Sequence, residues 1–435
     1  MGTETMIENE MEKYFDRLWP ICRSITGPGF RDSLAILSEL MPMKRLRFAT
    51  GQKVLDWIVP REWSVRDAYL VDPNGEKRAM FHKNNLHLVS YSIPFKRRLT
   101  LAELRPHLHS LPEQPSAIPY LTSYYKDDWG FCLTHNELKS LPEGVYEVFI
   151  DTQLTAGAVE LGEAMIRGES KDEILFSSYL CHPSMANNEL SGPLVLAFLY
   201  QRIQALPRRR YTYRFVIAPE TIGSICYLSK YGTHLKKRLR AGYQITCAGD
   251  RGKFTYKRSR RGNSLADRAA CEVLKTEGAH HIVAFDPAIG SDERQYCSPG
   301  FDLPVGLLMR TMYATYPEYH TSLDNKSFIS FTSLRGILDA YLNIVMALEN
   351  NIVYKNTVLY GEPQLGRRGL YPALGSRKTM DEKVSAMLWV LNLADGTRDL
   401  LAIAEESGLP MKRLVGAAED LYRAGLLQKI MARPL

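Results

Sequence analysis

The pattern of apolar and polar positions divides the chain into parts of different texture. Between residues 141 and 352, short apolar runs alternate with longer segments whose apolar residues recur at helical spacing. The short runs predict buried strands and the longer segments predict amphipathic helices. Such alternation is typical of an α/β domain with a mostly parallel sheet. We assign residues 1–52, which carry two more helical patterns, to the same domain.

Residues 53–140 show a different pattern. Short strand-like runs are separated by turn signals such as Asp72-Pro-Asn-Gly75 and by recurrent prolines. Turn residues at this density favour short antiparallel strands over helices. We predict a small β-rich domain, inserted into the α/β domain.

The remaining residues, 353–435, predict a further domain. A Gly- and Pro-rich stretch over 356–378 indicates a linker. Three helical patterns and a short strand follow it, over 380–393, 397–407, 411–424 and 425–430. This arrangement resembles a winged helix.

A winged helix that binds DNA presents Lys and Arg on its third helix. Here Lys412, Arg413 and Arg423 are offset by Glu419 and Asp420. We therefore expect no nucleic-acid partner, and we expect this domain to contact protein, including a second copy of the chain in a homo-oligomer.

Length and composition agree with a multidomain globular protein. The 435 residues are enough for two or three domains. The net charge of +7 is modest for this length and does not by itself indicate nucleic-acid binding. Seven cysteines without a CxxC pair are typical of reduced thiols. The N-terminus lacks the pattern of a signal peptide, and no stretch is apolar enough to predict a membrane span. We expect a cytoplasmic protein without a membrane partner.

Side chains that can bind a metal lie where predicted strands end. His182 follows the apolar run 173–180, Glu220 follows the run 213–218, and Asp250 follows the run 241–247. The carboxyl ends of parallel strands form the edge at which open α/β sheets bind ligands. Further polar residues lie in two later loops: Asp292, Glu293, Arg294, Tyr319 and His320. Singly, His182 could be satisfied by hydrogen bonds and Glu220 could be a helix N-terminal charge. Jointly, the histidines and carboxylates favour a zinc site.

Several ordered motifs resemble those of di-zinc aminopeptidases. They are His182, Ala186-Asn-Asn-Glu-Leu-Ser-Gly192, Pro219-Glu220, Ser291-Asp292 and Tyr319-His320-Thr321. Nearly the whole chain resembles a bacterial aminopeptidase-like family that is often encoded with polysaccharide or natural-product biosynthesis. That resemblance implies a three-layer α/β core of the zinc-exopeptidase (phosphorylase/hydrolase-like) type, an inserted small β-rich domain and a C-terminal winged helix.

The resemblance also implies a cofactor and a set of site residues. The cofactor would be zinc, as one or two ions. His182 and His320 would bind different metals, Glu220 would be a ligand or the catalytic general base, and Asp250 would be a carboxylate for the second metal. Asn188 stands where related aminopeptidases carry a carboxylate that bridges the metals. Substrate contacts are assigned to Asp292, Glu293, Arg294 and Tyr319.

Three departures from the related aminopeptidases bear on this assignment. Asn188 replaces a charged bridge by a neutral carboxamide, which weakens the case for a second ion because two cations held ~4 Å apart repel strongly. We therefore expect Asn188→Asp to raise the metal content. Glu189 could substitute only if its loop shifts, since adjacent side chains seldom point the same way. Ser184 and Pro219 occupy positions where those relatives have acidic residues.

Three classes of function follow from these observations. The first is a metallopeptidase-like hydrolase acting on an amide bond next to a free amino group, in a peptide or amino-acyl small molecule. The second is a weak or inactive relative that binds such a ligand or serves as a scaffold. The third is a DNA-binding regulator that uses the winged helix, which the charge balance of the third helix disfavours.

Overall fold

The computed structural model describes residues 3–370 and 382–430. Its helices are α1 (Thr3–Leu18), α2 (Pro28–Ser38), α3 (Leu101–Leu104), α4 (His135–Lys139), α5 (Ser191–Gln204), α6 (Ile222–Arg238), α7 (Leu265–Leu274), α8 (Glu293–Tyr296), α9 (Phe331–Glu349), α10 (Glu382–Leu393), α11 (Leu400–Ser407) and α12 (Met411–Arg423). Residues 371–378 of the predicted linker, and residues 380–381 of the helix predicted after it, lie outside the described residues.

The strands, numbered in chain order, fall into several sheets. They are β1 (Lys44–Ala49), β2 (Lys53–Val54), β3 (Trp57–Ile58), β4 (Glu62–Val71), β5 (Lys77–Arg78), β6 (Phe95–Thr100), β7 (Leu108–His109), β8 (Phe131–Cys132), β9 (Val145–Thr155), β10 (Ala158–Ile166), β11 (Glu173–Tyr179), β12 (Thr212–Ala218), β13 (Leu239–Ile245), β14 (Phe254–Lys257), β15 (His280–Val283), β16 (Val305–Met309), β17 (Val353–Asn356), β18 (Asp395–Asp399) and β19 (Leu427–Ile430).

The chain divides into two compact units. The first comprises residues 1–262 and 281–338, and the second comprises residues 263–280 and 339–435. The first unit contains the strand ends at which the candidate site lies, and the second contains the winged helix.

The central sheet has eight strands in the order β1-β10-β12-β11-β13-β16-β14-β15. Strands β12, β11, β13 and β16 are parallel neighbours, whereas β1 and β10 on one side and β14 on the other pair antiparallel. The sheet is therefore mixed rather than mostly parallel. Every residue of β11 and β12 is buried, as expected of parallel strands that are covered on both faces.

The inserted β domain extends further along the chain than its sequence pattern predicts. Strand β9 was expected in the central sheet, but it belongs to a four-stranded sheet of order β5-β4-β9-β6. It pairs with β4 from Glu62↔Thr155 to Val71↔Glu147 and also with β6. The boundary between the inserted domain and the α/β domain, predicted at residue 140, therefore lies beyond Thr155, because β9 forms its ladder hydrogen bonds with strands of the insert.

The winged-helix part of the second unit contains α10, α11, α12 and a three-stranded sheet of order β18-β17-β19. The predicted helix over 397–407 begins later, at Leu400, and strand β18 precedes it. Asp399 explains this start, since its side chain accepts a hydrogen bond from the Ala402 N–H at 2.8 Å and caps the helix.

Helix α9 has the length and composition of a membrane span, which the sequence pattern did not suggest. Among the described helices it alone meets that test, with a mean hydropathy of 1.2 over its most apolar window, half of which is buried within the protein. Core helices of soluble proteins also combine such length with such burial.

Candidate metal centre

His182 lies just beyond the buried end of strand β11. The chain leaves Tyr179, turns through Cys181 and His182, and passes Ser184 at a φ of 49°. Arg23 is fully buried, and its Nε donates to the His182 carbonyl oxygen at 3.3 Å. This contact holds the backbone of the turn, so the imidazole is placed at the edge of the sheet.

Two carboxylates approach the His182 ring. Glu189 Oε1 contacts His182 Nδ1, while Glu189 Oε2 accepts a hydrogen bond from the Cys181 N–H at 2.9 Å. On the other side of the ring, Glu220 Oε2 lies 3.9 Å from Nε2. Burial lowers the pKa of His182, but the charges of Glu189 and Glu220 outweigh it and raise the pKa above its ordinary value. Two carboxylates thus surround the His182 imidazole.

Glu220 follows strand β12 and faces the opening of the site. Its side chain is 26% exposed, and its Oε1 accepts a hydrogen bond from Ser291 Oγ at 2.8 Å. Its backbone N–H donates to Cys181 Sγ at 3.3 Å. Burial raises the pKa of the Glu220 carboxyl above its ordinary value. A carboxylate with a raised pKa at an opening is suited to accept and return a proton near neutral pH.

His320 joins this group from a distant part of the sequence. Its ring centroid lies 5.2 Å from that of His182, and its ring stacks on Tyr319 at 3.9 Å. Burial, together with the nearby charge of His182, lowers the pKa of His320 to about 3. Its Nε2 is buried and has no hydrogen-bond partner among the described residues. A neutral imidazole with a free buried nitrogen is the form that binds a metal.

The inserted β domain contributes Tyr120, which the sequence pattern did not identify. Its ring packs edge-on against both imidazoles, with centroids 4.7 Å from His182 and 5.4 Å from His320. Its backbone N–H donates to the His320 carbonyl at 2.8 Å. Nothing in the local sequence signals this role, because the contact depends on how the insert pairs with the loop of His320.

Asn188 and Asp250 are engaged by other protein groups. Asn188 Oδ1 accepts a hydrogen bond from the Tyr179 hydroxyl at 3.0 Å. Asp250 accepts from Asn187 Nδ2 at 3.0 Å, from the Gly252 N–H at 2.7 Å and from Thr311 Oγ1 at 2.6 Å. The structure therefore brings His182, Glu220 and His320 together, while the Asp250 carboxylate accepts hydrogen bonds from three separate parts of the chain. The assignment of Asn188 and Asp250 as ligands stays a prediction.

The predicted substrate residues have distinct surroundings. Asp292 Oδ1 accepts from the Thr221 N–H at 2.7 Å and from Ser224 Oγ at 2.8 Å, and its Oδ2 is buried without a partner in the described structure. Burial and then the charge of Glu220 raise the pKa of Asp292 to about 8. Glu293 is fully buried and binds Lys257 Nζ at 2.9 Å. Arg294 donates from Nε to the Ser291 carbonyl at 3.3 Å.

The position of each substrate candidate limits what it can contact. Tyr319 is partly exposed beside the imidazoles. Asp292 is near the site through Thr221, the residue after Glu220. Glu293 forms an internal ion pair, so it braces the loop that carries Ser291 and Asp292. The roles of all four as substrate contacts stay predictions.

The donor atoms present fit zinc. His182, Glu189 and Cys181 each offer an atom within 4.8 Å of the others. Imidazole nitrogen and carboxylate oxygen are ordinary zinc ligands. Cys181 fits less well, since burial raises the pKa of its thiol and keeps it protonated. The unpartnered His320 Nε2 and Asp292 Oδ2 add two buried polar atoms that a bound ion could satisfy.

The mixed α/β sheet has an aminopeptidase-like fold, which solved structures share. A zinc aminopeptidase from Bacillus subtilis aligns with a TM-score of 0.57 and 12% identity, over 79% of this chain and 94% of the other. An M28 peptidase precursor from Shewanella amazonensis aligns with a TM-score of 0.53 and 11% identity, over 80% and 97%.

A family model places the chain more specifically. It matches residues 12–351 and is described as a domain of unknown function, DUF4910, and a winged helix-turn-helix model matches residues 352–429. The chain belongs to the DUF4910 family. A Clostridium acetobutylicum protein described as a polysaccharide biosynthesis protein with an aminopeptidase-like domain is 44% identical over 97% of this chain and 96% of that protein. A crystal structure of a C. acetobutylicum protein described as a peptidase aligns with a TM-score of 0.92 and 42% identity, over 98% and 97%.

Proposed function

We propose that this chain is a zinc-dependent hydrolase that cleaves an amide bond next to a free amino group, in a peptide or an amino-acyl small molecule. One observation carries the proposal: at the sheet edge, the His182 imidazole lies against two carboxylates and beside the second imidazole of His320. The likeness of the fold to zinc aminopeptidases supports zinc as the ion.

The side chains divide the chemical work among them. His182, with His320 beside it, would hold the ion, and a bound zinc would act as a Lewis acid and lower the pKa of a water to about 7. Glu220 would take a proton from the attacking water and return it to the leaving amine. Its raised pKa suits both steps, and Ser291 Oγ orients the carboxylate by donating to Oε1.

The charges around the opening favour an amino-terminal substrate. Glu189 and Glu220 bring two acidic groups to a site in which the nearest basic group is the His182 imidazole. Such an excess of negative charge attracts metal cations and ammonium groups. Tyr120 and Tyr319 flank the imidazoles and offer aromatic surface to a substrate side chain.

The setting that we propose follows from a relative. The protein from C. acetobutylicum is described as taking part in polysaccharide biosynthesis, and we place this chain in a similar biosynthetic pathway. We place the chain in the cytoplasm, and its seven free thiols support that location.

An alternative is a weakly active or inactive relative that binds an amino-acyl ligand or serves as a scaffold. It is favoured by Asn188, which puts a neutral carboxamide where related aminopeptidases have a bridging carboxylate. Turnover separates this alternative from the hydrolase.

The proposal is tested by the hydrolysis of amino-acyl p-nitroanilides by the zinc-loaded protein. We expect turnover by the wild type and a loss of about a hundredfold or more in kcat for Glu220→Gln, because general-base catalysis contributes that much. Zinc content should be unchanged, which shows that the fold is kept. The same substitution at Glu318, two residues before His320, is the matched control and should keep wild-type turnover. No turnover across the panel, or full activity of Glu220→Gln, would contradict the hydrolase.

A further inference from the structure

We infer that Glu189 is the carboxylate that binds the metal together with His182, and that a π-turn over Ala186–Leu190 brings it there in place of residue 188. This inference rests on the proposed function and names a residue of the same site. It departs from the sequence-based expectation, in which residue 188 occupies the ligand position.

The π-turn changes which side chain faces the site. Residues Ala186–Leu190 form a π-helical turn, closed by a hydrogen bond from the Ser191 N–H to the Ala186 carbonyl. An i→i+5 bond encloses one more residue than the i→i+4 bond of an α-helix, so the positions within the turn, Glu189 among them, are offset by one relative to helix α5 that follows. Such turns occur frequently at functional sites. Adjacent side chains seldom point the same way, so residues 188 and 189 cannot both face the metal. With this offset only Glu189 has to face it, in place of Asn188.

The turn is held from both ends. On its N-terminal side, the N–H groups of Asn187 and Asn188 donate to the two oxygens of Asp324 at 2.6 and 2.9 Å. On its C-terminal side, Gly192 lies so close to the sheet that a Cβ would be 2.3 Å from the Ile245 carbonyl oxygen. Helix α5 therefore cannot slide to take up the extra residue, and the π-turn is fixed in place.

The Glu189 carboxylate pairs with His182, and the buried Arg23 guanidinium is a further cation whose charge interacts with it. Glu189 is fully buried, and in the described part of the chain its one ion pair is with His182. Its second oxygen accepts the Cys181 N–H. A buried carboxylate is costly unless a cation or several hydrogen bonds compensate its charge. A metal at this position would supply that compensation to Glu189 and Glu220 together.

The surroundings of Asn188 suit a neutral side chain. Its carboxamide oxygen accepts from the Tyr179 hydroxyl, which is itself 2.6 Å from Thr246 Oγ1. Its Nδ2 lies 3.8 Å from Met185 Sδ. An amide is well accommodated among a hydroxyl and a thioether, and a charge added there would be buried without a cation beside it. Asn188 is thus the neutral residue that packs inside the turn, and Glu189 is the anionic residue that offers its oxygens to the metal.

The experiment measures zinc affinity by competition with a fluorescent chelator, for full-length wild type, Glu189→Gln and Asn188→Asp. We expect Glu189→Gln to weaken zinc binding by about tenfold to a hundredfold, because one charge-assisted contact to the ion is lost. Asn188→Asp is the matched control that alters charge one residue away, and it should keep the wild-type stoichiometry. Visible spectra of the Co²⁺-loaded proteins should change for Glu189→Gln and stay similar for Asn188→Asp.

The outcomes separate this inference from the proposed function. If wild type binds zinc, His182→Gln loses it and Glu189→Gln binds like wild type, the inference fails while the metal site stands. If Asn188→Asp gains a second ion, position 188 is the ligand position and the inference also fails. If wild type binds no zinc, the proposed function fails with it. If circular dichroism shows that Glu189→Gln is unfolded, the zinc affinity of Glu189→Asp tests the inference instead. Because its carboxylate is shorter, this variant should bind zinc with an intermediate affinity. A wild-type affinity would contradict the inference.

Discussion

Single residues at the metal centre show how burial changes charge. Asp292 is held by Thr221 and Ser224 through one oxygen, while its other oxygen is buried and unpartnered in the described structure. Burial beside Glu220 raises its pKa to about 8. In the metal-free protein, the folded state therefore keeps a proton that an unfolded chain, with an Asp pKa of about 3.9, has released at neutral pH.

We predict that this proton makes the stability of the metal-free protein depend on pH. A raised carboxyl pKa contributes stability that is fully present below about pH 4 and is lost as the pH rises through about 8. Between pH 6 and 8 the wild type should lose about 1.4 kcal/mol per pH unit from this group. Asp292→Asn should flatten that slope. Chemical unfolding at pH 6, 7 and 8, in the presence of a chelator, gives the free energy of unfolding of both proteins. An equal dependence on pH in wild type and Asp292→Asn would count against a pKa of about 8 for Asp292.

At the scale of strands, one ionic network joins three members of the central sheet. Arg214 on β12 donates to Glu173 on β11 at 2.8 and 3.0 Å and pairs with Glu163 on β10. All three side chains are at most 7% exposed. Tyr227 OH also donates to Glu163 at 2.6 Å. The network crosses the junction between the parallel and antiparallel parts of the sheet.

We predict that Arg214→Met destabilises the fold by about 3–5 kcal/mol, because the buried Glu163 loses its ion pair and Glu173 keeps only that with His234 among the described residues. Arg208→Met is the matched control, since Arg208 pairs with Glu169 where both side chains are more than half exposed. It should cost less than about 1 kcal/mol. Urea unfolding measures the loss in free energy of unfolding of each variant. Equal losses in Arg214→Met and Arg208→Met would show that the network does not stabilise the junction.

The same strands show what a sequence can and cannot predict. Strands β11 and β12, helix α9 and the loops of His182 and His320 are visible as apolar runs and ordered motifs. The pattern of strand β9 predicts a member of the central sheet, which is wrong, because such a pattern reports burial but not the pairing partner. The sequence does not predict the π-turn that contains Glu189, because the turn depends on contacts with Asp324 and with the sheet. Tyr120 had no local signal because the inserted domain positions it.

At the scale of the whole molecule, several basic side chains of the winged helix pair with acidic side chains of the same domain. Arg413 pairs with Glu382 at 2.8 Å and Arg423 pairs with Asp420 at 3.3 Å. Lys383 also pairs with Asp420, at 2.8 Å. Basic side chains that are neutralised within the domain release fewer phosphate counterions on DNA binding.

We predict no sequence-specific binding of duplex DNA by the full-length protein. Fluorescence anisotropy with a labelled random-sequence pool, at physiological ionic strength, should give no selected sequence. A salt-sensitive specific complex that is lost in a Lys412→Ala/Arg413→Ala variant would contradict this prediction.

The central claim is that the strand-end cluster binds one metal ion through His182. Native mass spectrometry of the full-length protein, loaded with zinc and then desalted, counts bound ions directly. The account predicts one zinc on wild type and none on His182→Gln, with both proteins folded. Wild type without zinc, or an ion retained equally by His182→Gln, would contradict the account.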